Sequence, residues 1–391
     1  MERVPRGGVL HVPQLNTYQL NSSQPFPGMT TILLAGGGTG GHAMPALYLA
    51  DEIRRQRPDV EPVLVGAQRG IEAALFAARP FRFHLLPTEP IYRRQWWRNV
   101  RWLAVLPRVL RGAARVLDDE GPAVVIGTGG YASGPVLWAA ARRGIPIVLH
   151  EQNAFPGVTT RRLAARAAQI HLGFPEARAR LTPGPHTAVH AFGNPVPPAP
   201  TVDRGAARRA LGIAPDARVL FVVGGSQGSR ALNEVVGACL ERGMLQDVTL
   251  LWGTGRAHQD AWSRFDDPPR RIVRGFWDPI AEPLAAADLA VSRAGAMTVA
   301  ELAGWGLPAV FVPLPTAAAD HQTVNARALV DAGAGVLMPE ADLSADRLAG
   351  DVTRLLGDRT GLAAMADRIR ERGSRDAVRY IVESVLGLVT A

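Results

Sequence analysis

The chain has 391 residues, 47% of them hydrophobic, which is long enough for two globular domains and excludes a wholly disordered protein. Its formal net charge is +8, and all 43 lysine-or-arginine positions are arginine, which excludes Schiff-base chemistry and a P-loop lysine. The single cysteine, Cys239, excludes an intrachain disulfide and fits a reducing compartment, while the positive charge favours phosphorylated ligands, acidic lipid or nucleic acid.

Residues 1–28 are rich in proline, asparagine, glutamine and serine and carry no hydrophobic periodicity. We expect them to form a disordered N-terminal extension or to be upstream sequence before a true start near Met29. They lack the apolar core of a signal peptide, and no apolar stretch of the sequence reaches the length of a membrane span.

From Thr30 onward, apolar runs alternate with helical stretches, which is the pattern of parallel sheets covered by helices. In the first half we predict strands at 30–35, 62–66, 123–127 and 146–150, and helices at 43–57, 70–79, 100–118 and 134–143. After a proline-rich linker at 195–200, strands are predicted at 218–223, 248–252, 288–292 and 309–313. The sequence therefore predicts an α/β protein with two Rossmann-like domains whose parallel sheets face each other across a cleft.

The predicted N-terminal domain spans 29–195, and the predicted C-terminal domain spans 196–375. Residues 376–391 hold a last helix with a mixed apolar face, which can pack on either domain and so can return to the N-terminal one. Each domain opens with a strand that runs into a glycine-rich loop and then a helix.

The first glycine-rich loop reads GGGTGGH over 36–42 and matches the pattern G-x-G-x-x-G. Between a strand and a helix, such a loop offers backbone N–H groups and a helix N-terminus to a diphosphate. A dinucleotide site also needs an acidic residue at the end of the second strand, but residues 62–69 contain none. An NAD-dependent dehydrogenase is therefore a minor alternative.

The second loop, GGSQGS at 224–229, supplies another set of N–H groups together with hydroxyls. Residues 292–301 run from a predicted strand end into a helix, with Glu301 about one turn inside it. A carboxylate at that place can accept both hydroxyls of a ribose. In the company of two phosphate loops, this role is favoured over that of a solvated helix glutamate.

Seven motifs follow one another from about Met29 to the last third of the chain. They are GGGTGGH at 36–42, GTGGYASGP at 127–135, HEQNAFPG at 150–157, GNPV at 193–196, GGSQGSRALN at 224–233, SRAGAMTVAEL at 292–302 and DHQTVNA at 320–326. In this order and spacing they resemble the MurG family of bacterial peptidoglycan synthesis. The resemblance implies a GT-B fold and transfer of N-acetylglucosamine from UDP-N-acetylglucosamine to lipid I (undecaprenyl-diphospho-N-acetylmuramoyl-pentapeptide), giving lipid II, with no cofactor required.

The resemblance also implies site residues, carried over motif by motif. For the donor they are Thr39, Gly40, Gly41, Asn153, Ser226, Gln227, Phe276, Trp277, Ala296, Met297, Thr298, Glu301, Gln322 and Thr323. Glu301 is expected on the uridine ribose, and Phe276 with Trp277 at the uracil. His42 and Tyr131 are expected on the acceptor side of the cleft.

Two positions depart from the family pattern. The family usually carries arginine directly after GNPV, where this chain has Pro197, so one phosphate contact is missing there. Arg230 and Arg293 are the candidates to replace it. The family also often has two successive glutamines where this chain has Gln322 and Thr323, which is a variation in the sugar contacts.

His42 is the candidate general base. Inversion at the sugar needs a single in-line displacement, in which a base takes the proton of the acceptor hydroxyl and the leaving UDP is stabilised. An imidazole at a helix N-terminus is disfavoured as a cation and can accept that proton, although His42 could instead only bind the acceptor or organise the loop. His150, at a predicted strand end, favours a structural role. The sequence contains no D-x-D motif, and we predict no metal site.

Tryptophan and arginine alternate at the start of the segment 91–117. Tryptophan prefers the headgroup level of a bilayer and arginine pairs with anionic lipid, whereas a protein core does not accept unpaired guanidinium groups. The expected membrane contacts are Trp96, Trp97, Trp102, Arg94 and Arg98. We therefore expect a peripheral protein on the cytoplasmic side of the cell membrane.

The sequence leaves two further functional hypotheses open. Another GT-B enzyme, such as a glycolipid glycosyltransferase or a sugar-nucleotide epimerase, shares the donor loops but not GTGGYASGP and HEQN. A basic single-stranded nucleic-acid binder would use the tryptophans for stacking but leaves both glycine loops without a purpose. The resemblance instead implies UDP-N-acetylglucosamine, lipid I, an anionic membrane surface, and proteins of cell-wall synthesis and division as partners, and no nucleic acid.

Overall fold

The computed structural model describes residues 28–89, 101–199, 202–225 and 227–389, with the backbone alone at 101–104. Several sequence predictions fall outside these ranges. They concern the extension over 1–27, the membrane contacts Arg94, Trp96, Trp97 and Arg98 with the side chain of Trp102, and the donor residue Ser226.

The first half of the chain forms a seven-stranded parallel sheet in the order β3-β2-β1-β4-β5-β6-β7. Its strands are β1 (Thr30–Gly36), β2 (Val60–Ala67), β3 (Arg82–Leu86), β4 (Val124–Gly129), β5 (Ile147–Glu151), β6 (Gln169–Leu172) and β7 (Ala188–His190). The helices are α1 (Gly40–Gln56), α2 (Glu72–Ala77), α3 (Arg101–Glu120), α4 (Gly130–Arg142) and α5 (Val158–Leu163). Strand β2 is buried along its whole length, because helices cover both faces of the sheet.

The second half forms a six-stranded parallel sheet in the order β10-β9-β8-β11-β12-β13. Its strands are β8 (Val219–Val223), β9 (Thr249–Gly253), β10 (Arg271–Arg274), β11 (Leu289–Ser292), β12 (Ala309–Phe311) and β13 (Gly335–Leu337). The helices are α6 (Arg204–Ala210), α7 (Arg230–Glu241), α8 (Gln259–Trp262), α9 (Ala281–Ala286), α10 (Ala296–Trp305), α11 (His321–Val330), α12 (Ala345–Gly357), α13 (Arg359–Arg372) and α14 (Ala377–Leu386). The predicted α/β class with two parallel sheets is confirmed.

Both glycine-rich loops lie where the strand order reverses. The first follows β1, which lies between β2 and β4, and the second follows β8, which lies between β9 and β11. In open α/β sheets the two loops at such a point leave in opposite directions and open a crevice at the carboxyl ends of the strands. The topology therefore places both loops where a ligand can enter.

Five strands, β3, β6, β7, β10 and β13, were not predicted from the sequence. Strand β3 reads RFHLL, and its polar residues Arg82 and His84 are buried because both bind Glu120 of α3, at 2.7 Å each. Strands β7 and β13 have three residues each, too few to show a period. Tertiary pairing, rather than local pattern, determines these strands.

Helix α14 packs against the N-terminal half, although it follows the whole C-terminal half in sequence. Val378, Ile381 and Val385 are buried in the cluster that also contains Ile32 and Ile53. No helix in the described ranges is long and apolar enough to cross a membrane.

Candidate active site

The first glycine loop leads from β1 into α1. Thr39 is the N-cap of α1, with extended backbone (φ −152°, ψ 159°) and no capping hydrogen bond from its side chain. The helix therefore leaves the Thr39 hydroxyl unused, and the residue is exposed beside a half-buried Gly40 and an exposed Gly41. The ring of Tyr131, in α4, lies so close over Gly38 that a Cβ there would overlap it.

His42 lies in the first turn of α1, with its ring held against the end of β4. Its Nδ1 is 3.1 Å from the carbonyl oxygen of Thr128 and 3.2 Å from Oε1 of Gln152. Because these oxygens only accept, Nδ1 carries the proton and Nε2 keeps a lone pair. Burial lowers the pKa of His42 below its ordinary 6.5, against the opposing charge of Glu151. A neutral imidazole with a free Nε2 is the form that a general base requires.

Gln152 fixes this orientation of His42. Its Nε2 donates to the Thr128 carbonyl at 2.7 Å and to Nδ1 of His150 at 2.8 Å, so that its Oε1 turns towards His42. Burial lowers the pKa of His150 to about 4, which keeps this histidine neutral and able to accept. The structural role expected for His150 therefore takes the form of holding Gln152.

Gly129 makes room for the histidine ring. It adopts φ +93°, and a Cβ there would lie 2.8 Å from Nδ1 of His42. The motif GTGGYASGP thus brings β4 against the first turn of α1. Sequence reasoning quoted the motif HEQN but missed Gln152, although residues two apart at a strand end face the same side, which was the available signal.

A buried carboxyl lies beneath the first glycine loop. Glu72, at the start of α2, has no exposed surface, and the N–H of Gly38 donates to its Oε1. A Cβ at Gly70 would overlap the carboxyl, and burial raises the pKa of Glu72. The sequence predicts a loop whose N–H groups face a diphosphate, but the N–H of Gly38 instead binds the protein's own side chain. Nothing in the local sequence pattern indicated this role for a helix glutamate.

The two halves of the molecule meet at Asn153 and Asn325. Asn325, in α11, donates from Nδ2 to Oδ1 of Asn153 at 3.1 Å and accepts from the backbone N–H of Ala154 at 2.9 Å. The loop that carries Asn153 is ordered by Glu151, which accepts from the N–H of Gly157 at 2.8 Å. The predicted donor residue Asn153 therefore lies at the junction of the two sheets.

The second glycine loop rests on an arginine. Ser229 caps α7 and accepts from Nη2 of Arg293 at 2.7 Å. Arg293 also pairs with Glu340 at 2.5 Å and donates to the carbonyls of Val312 and Pro313, at 3.2 Å each. Both terminal nitrogens of its guanidinium are thus engaged inside the protein.

Both candidates for replacing the family arginine are paired with a carboxylate. Arg293 is bound beneath the loop, and the exposed Arg230 pairs along α7 with Glu234 at 2.6 Å. Gln227, by contrast, is exposed at the tip of the loop, where a ligand can reach it.

The loop after β11 leads into α10. Ala296 is buried, and Met297 and Thr298 are half-buried in its first turn. Glu301 lies one turn further, where burial raises its pKa to about 7. It makes no hydrogen bond or ion pair within the described part of the chain. A half-buried carboxyl with no protein partner among the described residues is suited to accept ligand hydroxyls.

Gln322 and Thr323 are expected on the sugar, but they differ in which side-chain polar groups remain free to bind it. Oε1 of Gln322 accepts from the N–H groups of Ala294 and Leu314, at 3.2 and 2.9 Å, which leaves its amide Nε2 as the group for a ligand. The Thr323 hydroxyl donates to Asp320 at 2.7 Å.

The two aromatic residues expected at the uracil lie in different environments. Phe276 is 43% exposed, with the guanidinium of Arg256 4.7 Å from its ring centre. Trp277 is 3% exposed and packs edge-on against Phe221 in the core. Phe276 therefore presents an aromatic face to the solvent, and Trp277 does not. Within the described residues, no group of three or more His, Cys, Asp or Glu side chains is placed to hold a metal ion.

Comparison with known proteins covers both halves of the chain. The glycosyltransferase family 28 N-terminal domain matches residues 32–172, and the C-terminal domain of the same family matches residues 219–381. Over 364 residues the chain is 42% identical to the UDP-N-acetylglucosamine--N-acetylmuramyl-(pentapeptide) pyrophosphoryl-undecaprenol N-acetylglucosamine transferase of Salinibacter ruber. The match spans 91% of this chain and 96% of that protein.

Solved structures agree with this relationship. MurG of Acinetobacter baumannii superposes with a TM-score of 0.73 at 27% identity, covering 92% of this chain and 99% of that one. The UDP-GlcNAc 2-epimerase of Neisseria meningitidis gives 0.60 at 15% identity, covering 92% and 99%, which is a likeness of fold alone. The predicted GT-B fold is confirmed. The chain belongs to glycosyltransferase family 28 and, within it, to the MurG family.

Proposed function

We propose that the chain transfers N-acetylglucosamine from UDP-N-acetylglucosamine to the C4 hydroxyl of the N-acetylmuramoyl sugar of lipid I, giving lipid II. The observation that carries the proposal is the pair of glycine loops at the strand-order reversals, one in each half of a chain whose halves meet at Asn153 and Asn325. A nucleotide sugar on one sheet then faces an acceptor on the other. The epimerase alternative has weaker support, because its structural likeness is limited to the fold.

The donor is held by the C-terminal half. The diphosphate lies on the loop 224–229 and the N-terminus of α7, where backbone N–H groups stabilise the charge that grows on the leaving UDP. Glu301 accepts the ribose hydroxyls, and the amide of Gln322 donates to the sugar. Phe276 offers its exposed face to the uracil. The loop, the helix N-terminus and these side chains together place the anomeric carbon in the cleft.

The acceptor hydroxyl is activated by His42. With Nδ1 donating to the Thr128 carbonyl and to Gln152, Nε2 takes the proton as the hydroxyl attacks the anomeric carbon. The C–O bond to UDP breaks in the same step, and the configuration inverts. Tyr131, whose ring lies over Gly38, and Thr39 line the same side of the cleft.

A membrane-facing surface extends over α3 and α4. Within the described residues, Leu106 and Trp138 are 39% and 40% exposed on these two neighbouring helices. Arg142 stacks 4.9 Å from the Trp138 ring, and Arg108 is exposed nearby on α3. Exposed apolar groups beside arginine suit an anionic lipid surface, so the chain acts as a peripheral protein at the cytoplasmic face of the membrane.

The test of the transfer reaction is label movement from UDP-N-acetylglucosamine to a short-chain lipid I analogue. We expect label in the lipid fraction with the unaltered protein, and a loss of about 10²–10⁴-fold in His42→Ala with UDP binding retained. Glu301→Ala is expected to weaken UDP binding itself. No transfer together with no UDP binding would contradict the proposal. Binding of an oligonucleotide that UDP does not displace would favour the nucleic-acid hypothesis.

The membrane surface is tested by co-sedimentation with vesicles. We expect binding to phosphatidylglycerol vesicles and little to phosphatidylcholine, with the double variant Leu106→Ser/Trp138→Ser binding less. Tyr380→Ser, which removes an exposed ring from α14 instead, is the matched control and is expected to bind as the unaltered protein does. Equal loss in both variants would contradict the assignment of this face.

A further inference from the structure

The second glycine loop lacks an obvious cation for the diphosphate. Pro197 stands where the family usually has arginine, Arg293 is committed to Glu340 and backbone carbonyls, and Arg230 is paired on α7. A diphosphate held only by backbone N–H groups would lack a cationic partner for its negative charge. A cation at the end of another strand would be needed to neutralise the diphosphate.

Arg256 lies at the end of the neighbouring strand. Strand β9 lies beside β8 in the sheet, and its end is tied to α7 because Nδ2 of Asn233 donates to the carbonyl of Thr254 at 2.8 Å. The following Gly255 packs so closely on the loop that a Cβ there would lie 2.8 Å from Cα of Gly228. Arg256 therefore starts one residue from direct contact with the glycine loop.

The side chain of Arg256 is held by an aromatic ring and not by an acid. Its guanidinium lies 4.7 Å from the ring centre of Phe276, itself 43% exposed at the end of the next strand, β10. Within the described residues Arg256 makes no ion pair or hydrogen bond. Stacking restricts an arginine while leaving its N–H groups free, so less conformational freedom is lost when it binds an anion.

We propose that Arg256, preorganised on Phe276, supplies the cation that binds the diphosphate of the donor in this chain. It supplies the positive charge that the family's arginine, absent at Pro197, would supply. The inference rests on the proposed use of a UDP-sugar as donor and adds a binding residue to that site. Arg256 acts on affinity for the nucleotide, and His42 continues to act on the chemical step.

The experiment compares binding of UDP and of uridine by calorimetry to the full chain and its variants. Arg256→Ala is expected to weaken UDP binding about tenfold, as for loss of one charge-assisted bond, and to leave uridine binding unchanged. Arg256→Lys keeps the charge without the planar stack and is expected to recover part of the affinity. The affinity difference between the unaltered protein and Arg256→Ala is expected to shrink at high salt.

Arg264→Ala is the matched control. Arg264 also stacks on an aromatic ring, 4.7 Å from the ring centre of Phe265, but unlike Arg256 it is paired with a carboxylate, Glu241, at 2.7 Å. It is expected to bind UDP as the unaltered protein does. Equal UDP affinity in the two alanine variants, or equal loss of UDP and uridine binding in Arg256→Ala, would overturn the inference. A protein that binds UDP through Arg256 but does not glycosylate lipid I would overturn the proposed function and leave this inference standing.

Discussion

The two glycine-rich loops share a pattern and a place in their sheets but rest on opposite chemistry. Beneath the first loop lies a carboxyl, Glu72, which already holds the N–H of Gly38. Beneath the second lies a guanidinium, Arg293, which supports Ser229 at the start of α7. A glycine motif after a strand therefore does not by itself define a phosphate site.

This difference matches the roles that the proposed function gives the two loops. The first loop covers a buried acid whose raised pKa favours its neutral form, and it carries His42 in the proposed role of base. The second loop rests on the guanidinium of Arg293, which is paired with Glu340, and it exposes Gln227 above. The proposed base therefore lies at one loop, and the N–H groups proposed to stabilise the leaving UDP lie at the other.

The largest expected effect comes from removing the acid beneath the first loop. Glu72→Ala leaves a cavity and an unpaired N–H at Gly38, and we expect a loss of about 3 kcal/mol in the free energy of unfolding by urea. Glu72→Gln keeps an acceptor of the same shape without a charge to bury, so we expect a loss of less than about 1 kcal/mol.

Glu120→Gln is the control for that pair of variants. Glu120 is also buried but pairs with Arg82 and His84, so the amide is expected to cost about 3 kcal/mol there. If Glu72→Gln proved as costly as Glu120→Gln, Glu72 would be acting as an ion-paired carboxylate and the contrast between the loops would fail.

A second variant tests the cation beneath the other loop. Arg293→Met removes three hydrogen bonds and leaves Glu340 unpaired, so we expect a loss of about 2 kcal/mol in unfolding free energy and weaker UDP binding. Adding Glu340→Gln is expected to restore part of the stability but not the UDP affinity. Full recovery of UDP binding in the double variant would mean that Arg293 supports the fold alone.

Much of this architecture could be predicted from the sequence, because its central strands are long apolar runs. β1 and β8 were both predicted within one residue of their observed starts, and the loops after them follow from the glycines. The short strand β13 was not, because pairing with β12 determines it and its three residues show no period.

The side-chain network of the site was less predictable than its motifs. Gln152 acts on His42 across 110 positions of sequence, and Asn325 reaches Asn153 across 172. Glu72 carries no local signal, since its partner is a backbone N–H in a different loop. Patterns within one element show which residues face inward, but not which distant group they meet.

Glu301 is half-buried and contrasts with Glu72 because it has no partner among the described residues. Burial raises the pKa of Glu301 to about 7, so it is protonated below that pH in the free protein. Ribose hydroxyls stabilise the ionised form, and UDP-N-acetylglucosamine has no group that titrates between pH 6 and 8. Affinity for this donor is therefore expected to rise about tenfold as the pH passes upward through about 7.

Glu301→Gln is expected to bind the donor with a nearly flat pH profile over the same range. The free energy of unfolding of the unaltered protein should fall over the range in which donor affinity rises. A carboxyl whose pKa is raised in the folded state costs stability as the pH rises from its unfolded pKa towards 7. Glu301→Gln is then expected to retain stability above pH 7 that the unaltered protein loses. An unchanged pH step in the variant would assign the titration to another group.

The smallest expected effect separates helix capping from ligand support at the second loop. Ser229 accepts from the N–H of Leu232 at 3.4 Å and from Arg293 at 2.7 Å, so Ser229→Ala removes a cap and one partner of the arginine. We expect a loss of about 1 kcal/mol in unfolding free energy. We also expect a twofold to tenfold weaker affinity for UDP, which corresponds to about the energy of one hydrogen bond.

Ser344→Ala is the control. It removes a comparable cap from α12, where Ser344 accepts from the N–H of Arg347 at 3.3 Å, far from both loops in sequence. It should lose similar stability and keep full UDP affinity, because a cap alone has no means of reaching the diphosphate. Equal UDP affinity in the two variants would mean that Ser229 acts only as a helix cap and that Arg293 does not affect UDP binding through Ser229.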